Sequence, residues 1–145
     1  MTLRFLLDTS IVSEPVKPKP NPAVLRQLER HAHESAIAAP VWHELRYGCG
    51  LLPAGKRRTA LEAYLVDVIL RTFQILPYDE VAAAWHADER ARLERAGTTA
   101  PFVDGQIAAI AEVHGLLLVT LNVRDFTRYD GLVVENWATR PRAKR

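Results

Sequence analysis

The order of apolar and polar segments predicts an α/β sandwich with a parallel sheet. Short apolar runs alternate with longer segments of helical periodicity along all 145 residues. Strands that are separated by helices are joined in parallel, and the helices cover the faces of the sheet. No repeat, low-complexity segment or linker divides the chain, so we expect a single domain over residues 1–145.

The predicted strands are short apolar runs that end at a polar residue or a proline, which is typical of buried parallel strands. The first ends at Asp8, the second is closed by Pro40 and the third is stopped by Pro77. The fourth run is the most apolar in the chain and is therefore the best candidate for a central strand. These runs occupy residues 3–7, 35–39, 73–76, 116–120 and 132–134.

The predicted helices are recognised by apolar residues that recur every three or four positions. Pro40 suits a first helical turn. Val41, Leu45 and Cys49 then follow on one helical face. The strongest helical signal comes from residues 56–70. The apolar face of that segment consists of Leu61, Tyr64, Leu65, Val68 and Ile69.

Capping residues delimit the two later helices. Asp79 suits the N-cap of a helix over residues 80–96, which Gly97 ends. Gly115 likewise ends a helix over residues 101–114, because glycine readily adopts the left-handed conformation that closes a helix.

Composition and charge exclude several classes of protein. The net charge of +2 and the pI of about 8.9 do not by themselves argue for nucleic-acid binding. Residues 136–145 form a basic C-terminal tail, for which a frayed terminus and a phosphate contact both stay open. The single cysteine excludes an internal disulfide and fits a reducing compartment. Because residues 1–8 lack the apolar core of a signal peptide and no run approaches the roughly 20 residues of a membrane span, we expect a cytoplasmic protein without membrane association.

Four acidic residues, which we call the acid cluster, are predicted to meet at the carboxyl edge of the sheet. Asp8 follows the first strand directly, and Asp125 follows the fourth strand within a few residues. Glu44 lies about one turn into the helix after the second strand, and Asp104 lies at the start of the helix that leads into the fourth. Helices in such folds run antiparallel to the strands, so these helix N-termini share the edge at which ligands bind.

Each of the four acids also has a purely structural explanation. Asp8 could cap a short helix that begins at the next residue, and Asp104 could favour a helix N-terminus through its charge. Glu44 could be an exposed helical residue beside Arg46, and Asp125 could cap a turn. A shared site explains in one step why all four lie at a single edge of the sheet.

A cluster of unpaired carboxylates needs a counter-charge, because like charges a few ångströms apart cannot all stay ionised. Oxygen ligands favour a hard divalent cation, Mg²⁺ or Mn²⁺, whereas zinc would prefer cysteine and histidine. Such ions bind phosphates and activate water for in-line attack. Polar side chains that could orient the water or contact the phosphate are Thr9, Ser10, Thr120 and Asn122. Arg46 and Arg124 are candidates for binding substrate phosphates.

Each member of the acid cluster lies in or at the start of a short motif: residues 6–10 (LLDTS), 41–48 (VWHELRYG), 104–111 (DGQIAAIA) and 119–126 (VTLNVRDF). In this order, the four segments resemble the motifs of PIN-domain proteins, and among these the VapC-type toxins of bacterial toxin–antitoxin pairs. In order and spacing, the resemblance extends over nearly the whole chain. Relatives often carry a basic residue in place of Leu121. The resemblance implies a three-layer sandwich with a central parallel sheet of about five strands. It implies a Mg²⁺- or Mn²⁺-dependent endoribonuclease whose catalytic residues and metal ligands are the acid cluster, with RNA as substrate, a cognate antitoxin that blocks the site, and a homodimer.

Other families with a strand followed by an aspartate fit less well. Phosphatases of the haloacid dehalogenase type need a second aspartate two residues after the first, and Ser10 stands at that position. P-loop and GxGxxG motifs are absent from the sequence. The remaining alternative is a catalytically silent PIN-like binding module that acts through its protein partner, and the four intact acids argue against it.

Overall fold

A five-stranded parallel sheet forms the centre of the computed structural model, which describes residues 2–139. The strands are β1 (Phe5–Leu7), β2 (Ser35–Ala38), β3 (Gln74–Leu76), β4 (Leu117–Val119) and β5 (Val134–Glu135). Their order across the sheet is β3-β2-β1-β4-β5, and every neighbouring pair is parallel. Helices flank this sheet, which confirms the predicted α/β sandwich.

The helices lie in the connections between strands. They are α1 (Thr9–Val12), α2 (Pro22–His31), α3 (Ala39–Gly50), α4 (Lys56–Tyr64), α5 (Leu70–Thr72), α6 (Glu80–Arg95) and α7 (Phe102–Val113). The last two pack against each other and lead into β4. Within residues 2–139 no helix has both the length and the apolar character that a membrane crossing requires.

The interior strands are apolar at successive positions because both faces of the sheet are covered. Leu6, Ile37 and Leu118 are all fully buried. Parallel strands with two covered faces lose the alternation of polar and apolar residues that marks a half-exposed strand. The run predicted at residues 116–120 forms the interior strand β4, and the middle position of the sheet belongs to its neighbour β1.

The apolar face predicted for residues 56–70 was wrong in detail. A π-helical stretch, Leu65–Ile69, lies between α4 and α5 in the segment predicted as one regular helix. A π-helical turn holds more residues than an α-helical turn, so the apolar face goes out of register. Val68 is therefore 44% exposed, whereas Leu65 and Ile69 remain fully buried.

The first residues of the predicted tail, 136–139, are seated on the fold rather than frayed. Trp137 is buried, and its ring packs edge-on against Phe5 with 5.3 Å between the ring centroids. β5 likewise lies closer to the tail than predicted. The rest of the predicted basic tail, residues 140–145, lies outside the described residues.

The chain changes direction across the sheet between β1 and β4. From β1 it first builds β2 and β3 on one side, and it then returns to build β4 and β5 on the other. In open α/β sheets, ligands bind outside the carboxyl ends of the strands at such a switch point. Asp8 and Thr120 directly follow these two strands, so the fold places them at this position.

Candidate active site

Asp8 is the most buried member of the acid cluster, 8% exposed at the end of β1. It occupies the N-cap position of α1, but its side chain makes no capping hydrogen bond. Thr120 Oγ1 instead donates to Asp8 Oδ2 at 2.8 Å, and Ser10 Oγ donates to the same oxygen at 3.3 Å. Burial raises the pKa of Asp8, and these hydroxyl groups oppose the increase because they stabilise the carboxylate.

Two hydroxyl side chains join the ends of β1 and β4. Ser10 Oγ lies 3.4 Å from Thr120 Oγ1 and accepts a hydrogen bond from the Leu121 amide at 3.0 Å. Thr120 Oγ1 accepts from the amide of Asn122 at 3.0 Å, and the Asn122 side chain is exposed. Ser10 and Thr120 therefore hold Asp8 in a fixed relation to the loop after β4.

Glu44 on α3 is tied to the start of α1. Thr9 Oγ1 donates to Glu44 Oε2 at 2.9 Å, and the glutamate is half-buried. Arg46 is exposed, and no ion pair joins it to Glu44 within residues 2–139. Glu44 is therefore not the exposed helical residue beside Arg46 that the structural explanation assumed.

The pKa of Asp104 is raised by burial and by repulsion from the other members of the acid cluster. This residue is half-buried in the first turn of α7. Burial is the largest cause that raises its pKa to about 6, and the charges of Asp125, Asp8 and Glu44 act in the same direction. All four acids therefore share one electrostatic field, as expected for residues at one edge of the sheet.

Asp125 is the exposed member of the cluster. It ends a 3₁₀ turn, Val123–Asp125, and its amide donates to the Asn122 carbonyl at 3.0 Å. The main chain of Asp125 thus has the turn conformation that the structural explanation assumed. Its charge nevertheless helps to raise the pKa of both Asp104 and Asp8. Arg124, on the same turn, is also exposed.

The acid cluster offers only oxygen ligands, which suits a hard divalent cation. As arranged within residues 2–139, no group of three or more histidine, cysteine, aspartate or glutamate side chains could hold a metal ion among them. Mg²⁺ usually binds proteins through one or two carboxylates and keeps several of its waters. The donor chemistry therefore fits a partly hydrated Mg²⁺ or Mn²⁺ better than an ion enclosed by protein ligands.

A cationic side chain beside the cluster was not predicted from the sequence. Arg128 is half-buried, and its Nη1 donates to the carbonyl of Thr99, in the loop before α7, at 3.5 Å. Its charge lowers the pKa of Asp104, against the larger effects of burial and of Asp125 and Asp8. The sequence signal for this residue is its position three residues after Asp125.

A buried acid on α6, also not predicted from the sequence, anchors the segment that carries Arg128. Glu89 is 7% exposed, and Arg92 donates to both of its carboxylate oxygens. Glu89 Oε2 accepts a further hydrogen bond from the Asp130 amide at 2.8 Å, and Arg92 Nη2 donates to the Arg128 carbonyl at 3.0 Å. The hydrogen bonds from Arg92 lower the pKa of Glu89. We call Glu89 and Arg92 the α6 clamp.

Comparison with known proteins identifies the class to which this fold and site belong. The model of the PIN domain matches residues 5–132, and the chain belongs to the PIN-domain family. It is 37% identical over 136 residues to toxin FitB of Neisseria gonorrhoeae, covering 92% of this chain and 98% of that protein. It is 32% identical over 136 residues to the tRNA(fMet)-specific endonuclease VapC of Shigella flexneri, covering 94% of this chain and 99% of that protein.

Solved structures give the same relationship. The structure of FitAB bound to an IR36 DNA fragment has a TM-score of 0.89 and 32% identity, covering 97% of this chain and 99% of the matched chain. The structure of DNA-bound VapBC from Salmonella typhimurium has a TM-score of 0.80 and 30% identity. The match covers 94% of this chain and 99% of the matched chain. The resemblance to VapC-type PIN domains drawn from the four sequence segments is thus confirmed.

Proposed function

We propose that this protein is a metal-dependent endoribonuclease that acts as the toxin of a toxin–antitoxin pair. The observation that carries the proposal is the acid cluster at the β1/β4 switch point, where burial and neighbouring acids raise the pKa of Asp104 to about 6. A bound cation relieves such repulsion and provides a binding point for a phosphodiester. Relatives named toxin FitB and tRNA(fMet)-specific endonuclease VapC support a toxin activity with RNA as the substrate.

The members of the acid cluster have different proposed roles. Asp8 and Asp104 are the principal ligands of Mg²⁺ or Mn²⁺, and Glu44 and Asp125 complete the site through bound water. When bound, the cation supplies charge stabilisation for the phosphate and lowers the pKa of an attacking water. Thr120 favours the ionised form of Asp8 that a ligand requires, because its hydroxyl donates to the carboxylate.

Polar residues around the cluster have proposed supporting roles. Thr9 orients Glu44 through its 2.9 Å hydrogen bond, and Ser10 braces Asp8. Arg46 and Arg124 are exposed and are proposed to contact more distant phosphates of the RNA.

A groove beside Glu44 is proposed to receive the cognate antitoxin. It has a volume of about 220 Å³, and its walls include Leu45, Leu61 and Tyr64. Thr9 and Glu44 lie at its border, so a peptide seated in the groove would lie next to the acid cluster. Solved relatives that are described as VapBC toxin–antitoxin systems support such a partner.

A homodimer is proposed for the free toxin. Sedimentation velocity of the purified chain is expected to give one species with twice the mass of the monomer. A stable monomer at micromolar concentration would contradict this part of the proposal.

RNA cleavage by the purified, antitoxin-free protein tests the proposed activity. Wild type is expected to cut RNA with Mg²⁺ and to lose activity in EDTA. Asp8→Asn is expected to be inactive, because it removes a ligand and disturbs the hydrogen bonds from Thr120 and Ser10. Asp67→Asn, an exposed aspartate in the π-helical stretch, is the matched control and should keep wild-type activity.

The outcomes separate the nuclease from the binding module. Wild type that cuts no RNA with either Mg²⁺ or Mn²⁺ would contradict the nuclease proposal and favour a catalytically silent module. Full activity in Asp8→Asn would contradict the site assignment alone.

A further inference from the structure

Arg128 places a positive charge beside the acid cluster without forming a salt bridge to it. Its guanidinium donates to the Thr99 carbonyl, just before the helix whose first turn holds Asp104. In the described part of the chain, residues 2–139, Arg128 forms no ion pair. Its charge still acts on Asp104. The remaining guanidinium N–H groups are therefore available to an anion that enters the site.

The main chain around Arg128 is held from two directions. The α6 clamp binds the Arg128 carbonyl and the Asp130 amide. The rings of Phe126 and Tyr129 are both buried and flank the same segment, with their centroids 6.3 Å apart. An arginine on such a fixed segment loses less conformational freedom when it binds a ligand than one on a mobile segment.

We propose that Arg128 contacts the substrate phosphate next to the acid cluster and that the α6 clamp positions it there. The inference rests on the proposed nuclease function and deepens it by naming a substrate-binding residue. A guanidinium group matches phosphate oxygens with paired N–H donors, which a lysine ammonium cannot reproduce. Arg46 and Arg124 are more exposed, so Arg128 is the arginine that the fold holds in a defined place.

RNA binding measured without cleavage tests the role of Arg128. The measurement is fluorescence anisotropy of a short, labelled single-stranded RNA in an Asp8→Asn background, at several salt concentrations. Arg128→Ala is expected to weaken binding about tenfold, because it removes one charge-assisted contact. The slope of log affinity against log salt should fall by about 0.7, the value for one phosphate contact on a single strand. Arg128→Lys should restore the salt slope and only part of the affinity.

Arg71→Ala is the matched control, because it removes the same charge at the opposite edge of the sheet. Arg71 is exposed and lies in α5, three residues before β3 begins. It should change neither affinity nor slope. If Arg128→Ala keeps the affinity and salt slope of the background protein, the inference is wrong while the nuclease function stands. If wild type neither binds nor cuts RNA, the proposed function itself fails.

A double-mutant cycle tests the positioning role of the clamp. Glu89→Gln is expected to weaken RNA binding several-fold when Arg128 is present and to have no further effect in the Arg128→Ala protein. Glu94→Gln changes an exposed glutamate that pairs with Arg90 on the same helix, and it should be neutral in both backgrounds. Equal losses from Glu89→Gln with and without Arg128 would overturn the positioning role.

Discussion

Two acids on neighbouring helices have pKa values shifted in opposite directions, although burial acts to raise the pKa of both. Glu89 on α6 is 7% exposed, yet the hydrogen bonds from Arg92 hold its pKa below the ordinary value. Asp104 on α7 is more exposed, yet burial and then the charges of Asp125 and Asp8 raise its pKa to about 6. At Glu89 a cationic hydrogen-bond partner outweighs the effect of burial, whereas at Asp104 the acidic neighbours add to it.

Glu89 is a structural carboxylate, whereas Asp104 is a carboxylate retained for chemistry. The charge of Glu89 stabilises the folded chain, because its partner and its hydrogen bonds exist only there. The charge of Asp104 destabilises the folded chain, because folding buries the carboxylate and also brings like charges near it. Groups whose pKa is shifted in this unfavourable direction are concentrated at functional sites.

The largest effect is expected when the charge is removed from the acid cluster. Asp104→Asn should lower kcat/KM for RNA cleavage on the order of 10³-fold, because the amide cannot replace an ionised ligand at the point where phosphate charge develops. Initial rates at saturating Mg²⁺ measure this. Asp88→Asn, which changes an exposed aspartate on α6, should stay at the wild-type rate. A loss of only a few-fold would place Asp104 outside the catalytic machinery.

Removing the paired carboxylate should damage the fold instead. Glu89→Ala is expected to lower Tm by roughly 5 °C, because Arg92 and the Asp130 amide lose their common acceptor. Thermal unfolding followed by circular dichroism measures the change. Glu94→Ala removes an exposed carboxylate from the same helix and should shift Tm much less. Equal shifts in the two variants would show that the clamp adds nothing beyond a surface ion pair.

The smallest effect is a difference in the pH dependence of stability. The folded pKa of Asp104 is about 6 and its unfolded value is about 3.9, so the native state binds more protons between these values. Stability should therefore fall as pH rises through this window. Urea unfolding should show Asp104→Asn equal to wild type near pH 4 and more stable by about 1–2 kcal/mol at pH 7, a figure reduced for solvent screening.

Glu89→Gln provides the opposite control for this pH dependence. Its folded pKa is lowered, so its contribution is present at neutral pH and is lost as pH falls below the unfolded value of about 4.3. The destabilisation by Glu89→Gln should thus shrink in acid. A parallel pH dependence for the two variants would contradict the opposite signs assigned to these acids.

The acid cluster could be predicted from the sequence because strand order alone places it. Asp8 follows the first apolar run directly. Glu44 and Asp104 lie near the N-termini of helices that must start at the same edge. These inferences need only the alternation of strands and helices, which local patterns reveal. The donor chemistry of the cluster then follows from residue types without any knowledge of distances.

The clamp and Arg128 could not be predicted, because they depend on contacts between distant segments. Glu89 meets Asp130 only after α6 has packed beside the loop that follows β4. Gly105 is similar: a Cβ atom there would lie 2.1 Å from His86 Nε2, so its small size reflects the close approach of α6 to α7. No local pattern in the sequence signals such a contact.

The middle position of β1 also has a consequence in time. β1 pairs with β2, made early in synthesis, and with β4, made late, and Thr120 follows β4. The chain is made from its N-terminus, and a domain generally folds as a unit. Until β4 arrives, Asp8 lacks the hydroxyl that holds it, and both Asp125 and the 126–130 segment are missing. The order of synthesis thus keeps the proposed nuclease site incomplete until late in translation.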